Sequence, residues 1–183
     1  NPERPDIQLL LTGDELMSGD TVDSNSSMLA QHLAPLGLTP GRRVTLGDDR
    51  ERLVEELSAM TRVADAVIVN GGLGPTIDDL TGEIVATVAG CDLAEHPQAL
   101  EELHAWCTRR GFELNAANRK QALLPKDCTL IHNPVGSAPG FCVTLGKCLV
   151  LCTPGVPGEL RAMLPALAER LAEHLPVVSR RQI

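Results

Sequence analysis

The sequence is poor in aromatic side chains, with one Trp, two Phe and no Tyr. A platform on which successive nucleic-acid bases stack needs several such rings, so that mode of binding is excluded. Clustered positive charge is also missing. The formal net charge is -8, and the basic residues occur singly or in pairs such as Arg42-Arg43, Arg109-Arg110 and Arg180-Arg181, leaving no stripe to follow a polynucleotide backbone. No apolar run approaches the roughly 20 residues that span a bilayer, and the opening NPERPDIQ has no signal-peptide pattern. Neither nucleic acid nor membrane is expected as a partner, and the chain reads as cytoplasmic.

Several catalytic signatures are absent as well. There is no G-x-S-x-G for a serine nucleophile, no H-x-x-x-H or C-x-x-C for zinc, no G-x-x-x-x-G-K-[ST] and no G-x-G-x-x-G. The cysteines Cys91, Cys107, Cys128, Cys142, Cys148 and Cys152 fall mostly in apolar runs and are expected as buried free thiols.

What is present is a repeated strand-to-helix pattern. At 183 residues the chain fits one domain with one core. Ile7 to Gly13 is an apolar run closed by glycine, as in a strand buried on both faces. The segment SNSSMLAQHLAPLG then places Met28, Leu29, Leu33 and Leu36 at helical spacing. A second unit pairs the strand LTPGRRVTL with a helix carrying Leu53, Val54, Leu57 and Met60. A third pairs Ala66 to Val69 with a helix expected from about Asp78 to Ala89. Three such units in a row predict an α/β fold with a parallel sheet and right-handed crossovers. Residues 96 to 124 read as two helical pieces broken at Gly111, with Trp106 in the core. Three strands follow (Thr129 to Ile131, Gly140 to Thr144, Lys147 to Leu151), the last two joined as a hairpin through Leu145-Gly146. The closing helix, GELRAMLPALAERLAEHL, contains Pro165 and so is expected to kink or divide there. The tail VVSRRQI reads as loose.

In an open parallel sheet, ligands bind outside the carboxyl ends of the strands. Each of the first three such loops carries a carboxylate pair: Asp14-Glu15, Asp48-Asp49 and Asp78-Asp79. Taken singly, each pair is an ordinary helix cap. Together they place six anions on one edge, and clustered anions repel unless a cation or proton intervenes. A hard divalent cation satisfies them most simply. The third loop, NGGLGPTIDDLT, also contains Gly71, Gly72 and Gly74, which permit positive φ and close backbone approach around Leu73, as in a phosphate cradle. NPVGSAPG and TPGVPG add glycine-rich rims. NAANRKQALLP supplies a compact set of cations and amides, or a solvated helix face.

The ordered set TGDELMSGDTVDSNSSMLAQHL, VTLGDDRERL, VNGGLGPTIDDLT, NRKQALLP, NPVGSAPGF and TPGVPGEL, from about Ile7 to Leu171, resembles the molybdenum-cofactor-biosynthesis family, specifically its CinA-like branch (competence/damage-inducible protein A, amino-terminal domain). The resemblance implies a three-layer αβα, molybdopterin-binding-domain-like fold with a mostly parallel sheet and a small β-hairpin, one domain over residues 1–183 with its core at about 6–174. Molybdopterin adenylyltransferase relatives carry GGTG followed by Arg-Asp, and their metal-binding Asp falls on Asp79. Leu73 replaces the Thr of GGTG and Asp78 replaces the Arg, which favours the CinA-like branch over pterin adenylylation.

That branch implies metal-dependent hydrolysis of ADP-ribose or a related dinucleotide to AMP and a sugar phosphate, with Mg²⁺, Mn²⁺ or Co²⁺. The carboxy-terminal deamidase of full CinA proteins is absent from these residues. In this reading Gly71 to Gly74 hold a phosphate, and Asp79 with Asp48, Asp49 or Asp14 holds the ion. Arg119 or Lys120 neutralises developing charge, and Asp14 or Asp78 orients water. Asn25, Asn118, Ser137 and Gly155 are expected to contact the nucleotide. A homo-oligomer, dimer or trimer, is also implied. A molybdopterin-binding or adenylyl-transferring protein and a non-catalytic nucleotide-binding module stay open as alternatives.

Overall fold

The computed structural model describes residues 4–175, so the expected loose tail lies outside the described residues. Its first half follows the predicted units: β1 (Ile7–Thr12), α2 (Asn25–Leu33), β2 (Pro40–Leu46), α3 (Arg50–Val63), β3 (Ala66–Asn70) and α4 (Thr81–Ala89), with a short α1 (Asp14–Ser18) inside the first loop. Then come β4 (Leu93–Glu95), α5 (Pro97–Arg109), α6 (Ala116–Arg119), β5 (Leu123–Pro125), β6 (Thr129–Ile131), β7 (Gly140–Leu145), β8 (Cys148–Thr153) and α7 (Pro157–His174).

Six strands form one sheet in the order β2-β1-β3-β8-β7-β6. The first four are parallel, and β7 and β6 are antiparallel to their neighbours. Because strand side chains alternate between faces, the sheet has two apolar surfaces. Leu9, Leu11 and Ile68 pack against Leu29 and Leu33 of α2 and Leu160, Met163, Leu167 and Leu171 of α7. Leu10, Val67 and Val69 pack against Leu53, Leu57 and Met60 of α3, Ile84 and Val85 of α4 and Leu103 of α5. Helices therefore cover both faces, as the three-layer reading requires. Each fully buried Leu contributes about 1.5–3 kcal/mol through burial alone.

Several details differ from the sequence reading. α4 begins at Thr81, not near Asp78, because Thr81 is tied backward into the glycine loop: its N–H donates to the Gly72 carbonyl at 3.1 Å and its hydroxyl to the Gly71 carbonyl at 2.7 Å. The second helical piece ends at Ala122, and β5 then pairs with β4 as a separate two-stranded sheet. Both strands have three residues, too few for alternation to register. The β7–β8 hairpin turns through Gly146-Lys147, since Leu145 pairs with Cys148. α7 runs unbroken through Pro165. Pro165 and Arg161 are both on the exposed face, so the Arg161 carbonyl that loses its i+4 donor faces water. Trp106 is half-buried, stacked on Phe112 at 6.3 Å between centroids, with the Arg110 guanidinium 5.1 Å above its ring.

Candidate functional site

The carboxyl ends of β3 and β8 and the start of α2 meet at a buried polar network. Asn70 ends β3, and its Nδ2 donates to Thr153 Oγ1 at 3.0 Å and to the Pro154 carbonyl at 2.9 Å. Asn25, at the start of α2, donates from Nδ2 to Asn70 Oδ1 and to the Gly155 carbonyl, both at 2.8 Å. The Gly71 N–H donates to the Thr153 carbonyl at 2.9 Å. A buried donor or acceptor left without a partner costs about 1–3 kcal/mol, so this network fixes the loops after β3 and β8 relative to each other and to α2.

Those loops enclose a cavity of about 690 Å³. One wall is Gly71, Gly72, Leu73 and Gly74, joined by Pro154 and Gly155 from the loop after β8. Gly71 (φ 104°) and Gly72 (φ 71°) adopt left-handed backbone. A Cβ on Gly71 would stand 2.7 Å from the Thr12 carbonyl oxygen, and one on Gly72 would overlap the Thr81 hydroxyl. Gly74 does not have positive φ. A Cβ there would lie 2.7 Å from Asp79 Oδ2.

The rim is acidic. Asp14, Glu15, Asp48, Asp78, Asp79 and Glu159 all line the cavity, and no Lys, Arg or His among the described residues does. The Asp14 and Asp48 segments interlock, with the Asp48 N–H donating to Asp14 Oδ1 at 2.9 Å. Burial pushes the Asp48 carboxyl above its ordinary value, a hydrogen bond from the Asp14 N–H opposes this, and the charges of Asp14, Glu15 and Asp78 raise it further. Asp79 faces its own loop, where Oδ2 accepts from the Thr76 N–H at 2.9 Å and the Thr76 hydroxyl at 2.8 Å. Ser137 is on the rim and accepts from Gln121 Nε2 at 3.1 Å. Glu159 accepts from Asn133 Nδ2 at 2.7 Å.

Asp14, Asp48, Asp78, Asp79, Gly71 to Gly74, Ser137 and Gly155 thus line one cavity, and five other residues named from the sequence lie or bond elsewhere. Asp49 does not line the cavity; it caps α3, accepting from the Arg52 N–H at 3.1 Å. Arg119 is committed to Glu95, donating from Nε at 2.7 Å and from NH2 at 3.0 Å. That pair lowers the Glu95 carboxyl and raises Arg119. Lys120 Nζ donates to the carbonyls of Thr76 and of Asp79, the latter at 2.7 Å, so it staples the acidic loop from outside. The Asn118 N–H is taken by the Asn115 side chain at 2.8 Å, and Asn118 does not reach the cavity. Asn25 belongs to the buried network and not to the cavity lining. Gln121, from the cation-and-amide set of NAANRKQALLP, does line the cavity, whereas Glu159 went unrecognised in the sequence. Glu159 looks like an ordinary first-turn acid of α7, and only the packing of β8 beside β3 brings it to the cavity.

No three His, Cys, Asp or Glu side chains among the described residues form a group able to hold a metal ion. The donors suit a different arrangement. Mg²⁺ is held through one or two carboxylates completed by water and substrate phosphate, and Asp14 and Asp48 are hard oxygen donors in mutual repulsion. The residues therefore fit an ion that arrives with a phosphate better than a resident one.

A glycine wall facing an acidic rim at the carboxyl edge of an open αβα sheet defines a cavity placed where such sheets take small ligands. The family model described as "Probable molybdopterin binding domain" matches residues 8–174. The chain belongs to that family, in its CinA-like branch. It is 52% identical over 176 residues to a CinA-like protein of Colwellia psychrerythraea, covering 93% of this chain and 41% of that protein. It is 44% identical over 177 residues to a CinA-like protein of Escherichia coli K12, covering 94% of this chain and 44% of that protein. The chain thus spans less than half the length of these relatives. The crystal structure of the CinA protein of unknown function from Thermoplasma acidophilum superposes with a TM-score of 0.84 at 32% identity, covering 92% of this chain and 98% of that one. The molybdopterin biosynthesis enzyme MoaB of Thermus thermophilus shares the fold, with a TM-score of 0.60 at 20% identity over 93% of this chain and 96% of that one. Among the described residues, no helix is long and apolar enough to cross a membrane.

Proposed function

We propose that this domain hydrolyses the phosphoanhydride of ADP-ribose or a related dinucleotide, giving AMP and a sugar phosphate, with a divalent cation (Mg²⁺, Mn²⁺ or Co²⁺) as cofactor. The observation that supports this best is the cavity's composition: a backbone wall suited to phosphate oxygens faces a rim of carboxylates, and among the described residues no cationic side chain lines it. An anionic ligand enters such a cavity at low cost only with its own counter-ion.

In this reading Asp14 and Asp48 hold the ion, with Asp79 joining them if it leaves Thr76. When bound, the ion screens the phosphates, polarises phosphorus and acidifies a coordinated water. Gly71 to Gly74 orient the pyrophosphate, and Asp78 or Asp14 holds the attacking water by accepting its proton. Arg119 is paired with Glu95 and Lys120 Nζ with the Thr76 and Asp79 carbonyls, so this reading assigns neither to the developing charge. The experiment is incubation with ADP-ribose and each cation, read as AMP release. Absence of AMP with all three metals overturns the proposal.

A second reading, binding of molybdopterin, is favoured by the family match over residues 8–174. Incubation with molybdopterin and ATP separates the two, since adenylylation consumes ATP and releases pyrophosphate without cleaving ADP-ribose.

A further inference from the structure

The carboxylate of Asp79 stands where an anion would bind. Its Oδ2 accepts from two donors of one residue, the Thr76 N–H at 2.9 Å and the Thr76 hydroxyl at 2.8 Å, and lies against Gly74, where a Cβ would come within 2.7 Å of it. Paired N–H and O–H donors beside an uncluttered glycine form the kind of nest that receives a phosphate oxygen. Thr76 and Asp79 both line the cavity. The main chain of this loop is held independently of that carboxylate, because Lys120 Nζ donates to the carbonyls of Thr76 and Asp79, and the Asp79 N–H donates to the Thr76 carbonyl at 3.2 Å. The Asp79 side chain can therefore leave without the loop losing its fixings.

We propose that Thr76 is a phosphate-binding residue, and that Asp79 is a built-in competitor occupying its N–H and hydroxyl until a ligand phosphate displaces it. The proposal rests on the reading that the cavity takes a phosphate, but it does not depend on hydrolysis. It adds Thr76 to the residues that meet the ligand and gives Asp79 a role in the empty cavity.

The test is calorimetric titration of the 183-residue chain with inorganic pyrophosphate at one fixed excess of Mg²⁺, so that the ligand carries the same counter-ion into every variant. Asp79→Ala is expected to bind about tenfold more tightly than the unmodified chain, the scale of two hydrogen bonds to a charged acceptor set against their replacement by phosphate. Asp79→Asn, which keeps a weaker acceptor, is expected to fall between the two. Adding Thr76→Val to Asp79→Ala is expected to abolish the gain. Asp78→Ala removes a rim charge without freeing Thr76 and is expected to give a much smaller gain.

The proposal is overturned if Asp79→Ala binds no more tightly than the unmodified chain, if Asp78→Ala matches it, if the double variant keeps the gain, or if no variant binds. AMP release from ADP-ribose is measured separately, so absence of turnover sinks the proposed reaction and leaves the order of these affinities to decide this point.

Discussion

Asp14 and Asp48 hold each other's main chain: the Asp48 N–H donates to Asp14 Oδ1 at 2.9 Å, and the Asp14 N–H donates to Asp48 Oδ2 at 3.3 Å. The exchange fastens the loop after β1 to the loop after β2 and brings two like charges together, with Glu15 and Asp78 adding to the field at Asp48.

The first prediction follows from that repulsion. Burial and neighbouring anions raise the Asp48 carboxyl above its ordinary 3.8. A group raised by folding contributes stability that is present below its unfolded value and is lost as pH rises through its folded value. Asp48→Asn, which keeps an acceptor for the Asp14 N–H, is therefore expected to melt higher than the unmodified chain at pH 7 and no higher near pH 3. Thermal melts across that range check it, and equal melting temperatures at pH 7 would contradict it.

A second prediction concerns turnover. Asp79→Asn is expected to lower AMP release from ADP-ribose by about 100-fold or more, the scale of losing one group that stabilises charge in the transition state, while the melting temperature stays within a few degrees. Steady-state kinetics beside a thermal melt decide it; full activity in the variant refutes the role given to Asp79.

Two glycines with similar backbones separate strain from contact. Gly72 (φ 71°) and Gly90 (φ 69°) are both left-handed, but a Cβ on Gly90 meets nothing within 4 Å, whereas one on Gly72 meets Thr81. Gly90→Ala is expected to cost about 1 kcal/mol of stability, and Gly72→Ala about 2–3 kcal/mol with loss of the cavity wall. Urea unfolding of both variants gives the comparison, and equal costs would remove the Thr81 contact from the account.

The cysteines make a prediction at alkaline pH. Burial pushes Cys128 and Cys148 up to about 11 and raises Cys142 and Cys152 as well. Their contribution to stability is thus present below the unfolded thiol value of 9.0 and is lost as pH rises through about 11. Denaturant midpoints should fall across that interval. At pH 8 iodoacetamide should label the half-buried Cys91 first and the five buried thiols only on unfolding; rapid labelling of Cys148 in the native chain would refute this.

The sheet and the cavity were readable to different depths. Runs such as Ile7–Thr12 and Ala66–Asn70 are buried throughout and announce themselves as parallel strands. The glycine loop and five of the six paired carboxylates, all but Asp49, were legible because ligand sites follow strand ends. Side-chain commitments were not. Arg119 and Lys120 stand between the amides Asn118 and Gln121 in a polar stretch, and nothing local reveals that one is taken by Glu95, 24 residues away, and the other by carbonyls more than 40 residues away. Asn25 likewise reads as a rim residue until its partners Asn70 and Gly155 are known.

The pairing of β3 with β8 has a consequence for synthesis. It joins Ala66–Asn70 to Leu149–Thr153, so one wall of the cavity is made early in the chain and its counterpart more than 80 residues later. Contacts of such separation form late, after the loop between them has been closed. A nascent polypeptide that has emerged only as far as α5 carries the glycine turn and most of the acidic rim, yet lacks the strand against which they close. During translation, ligand capture must wait for the last quarter of the chain, so a nucleotide can stabilise the finished domain and cannot guide its early folding.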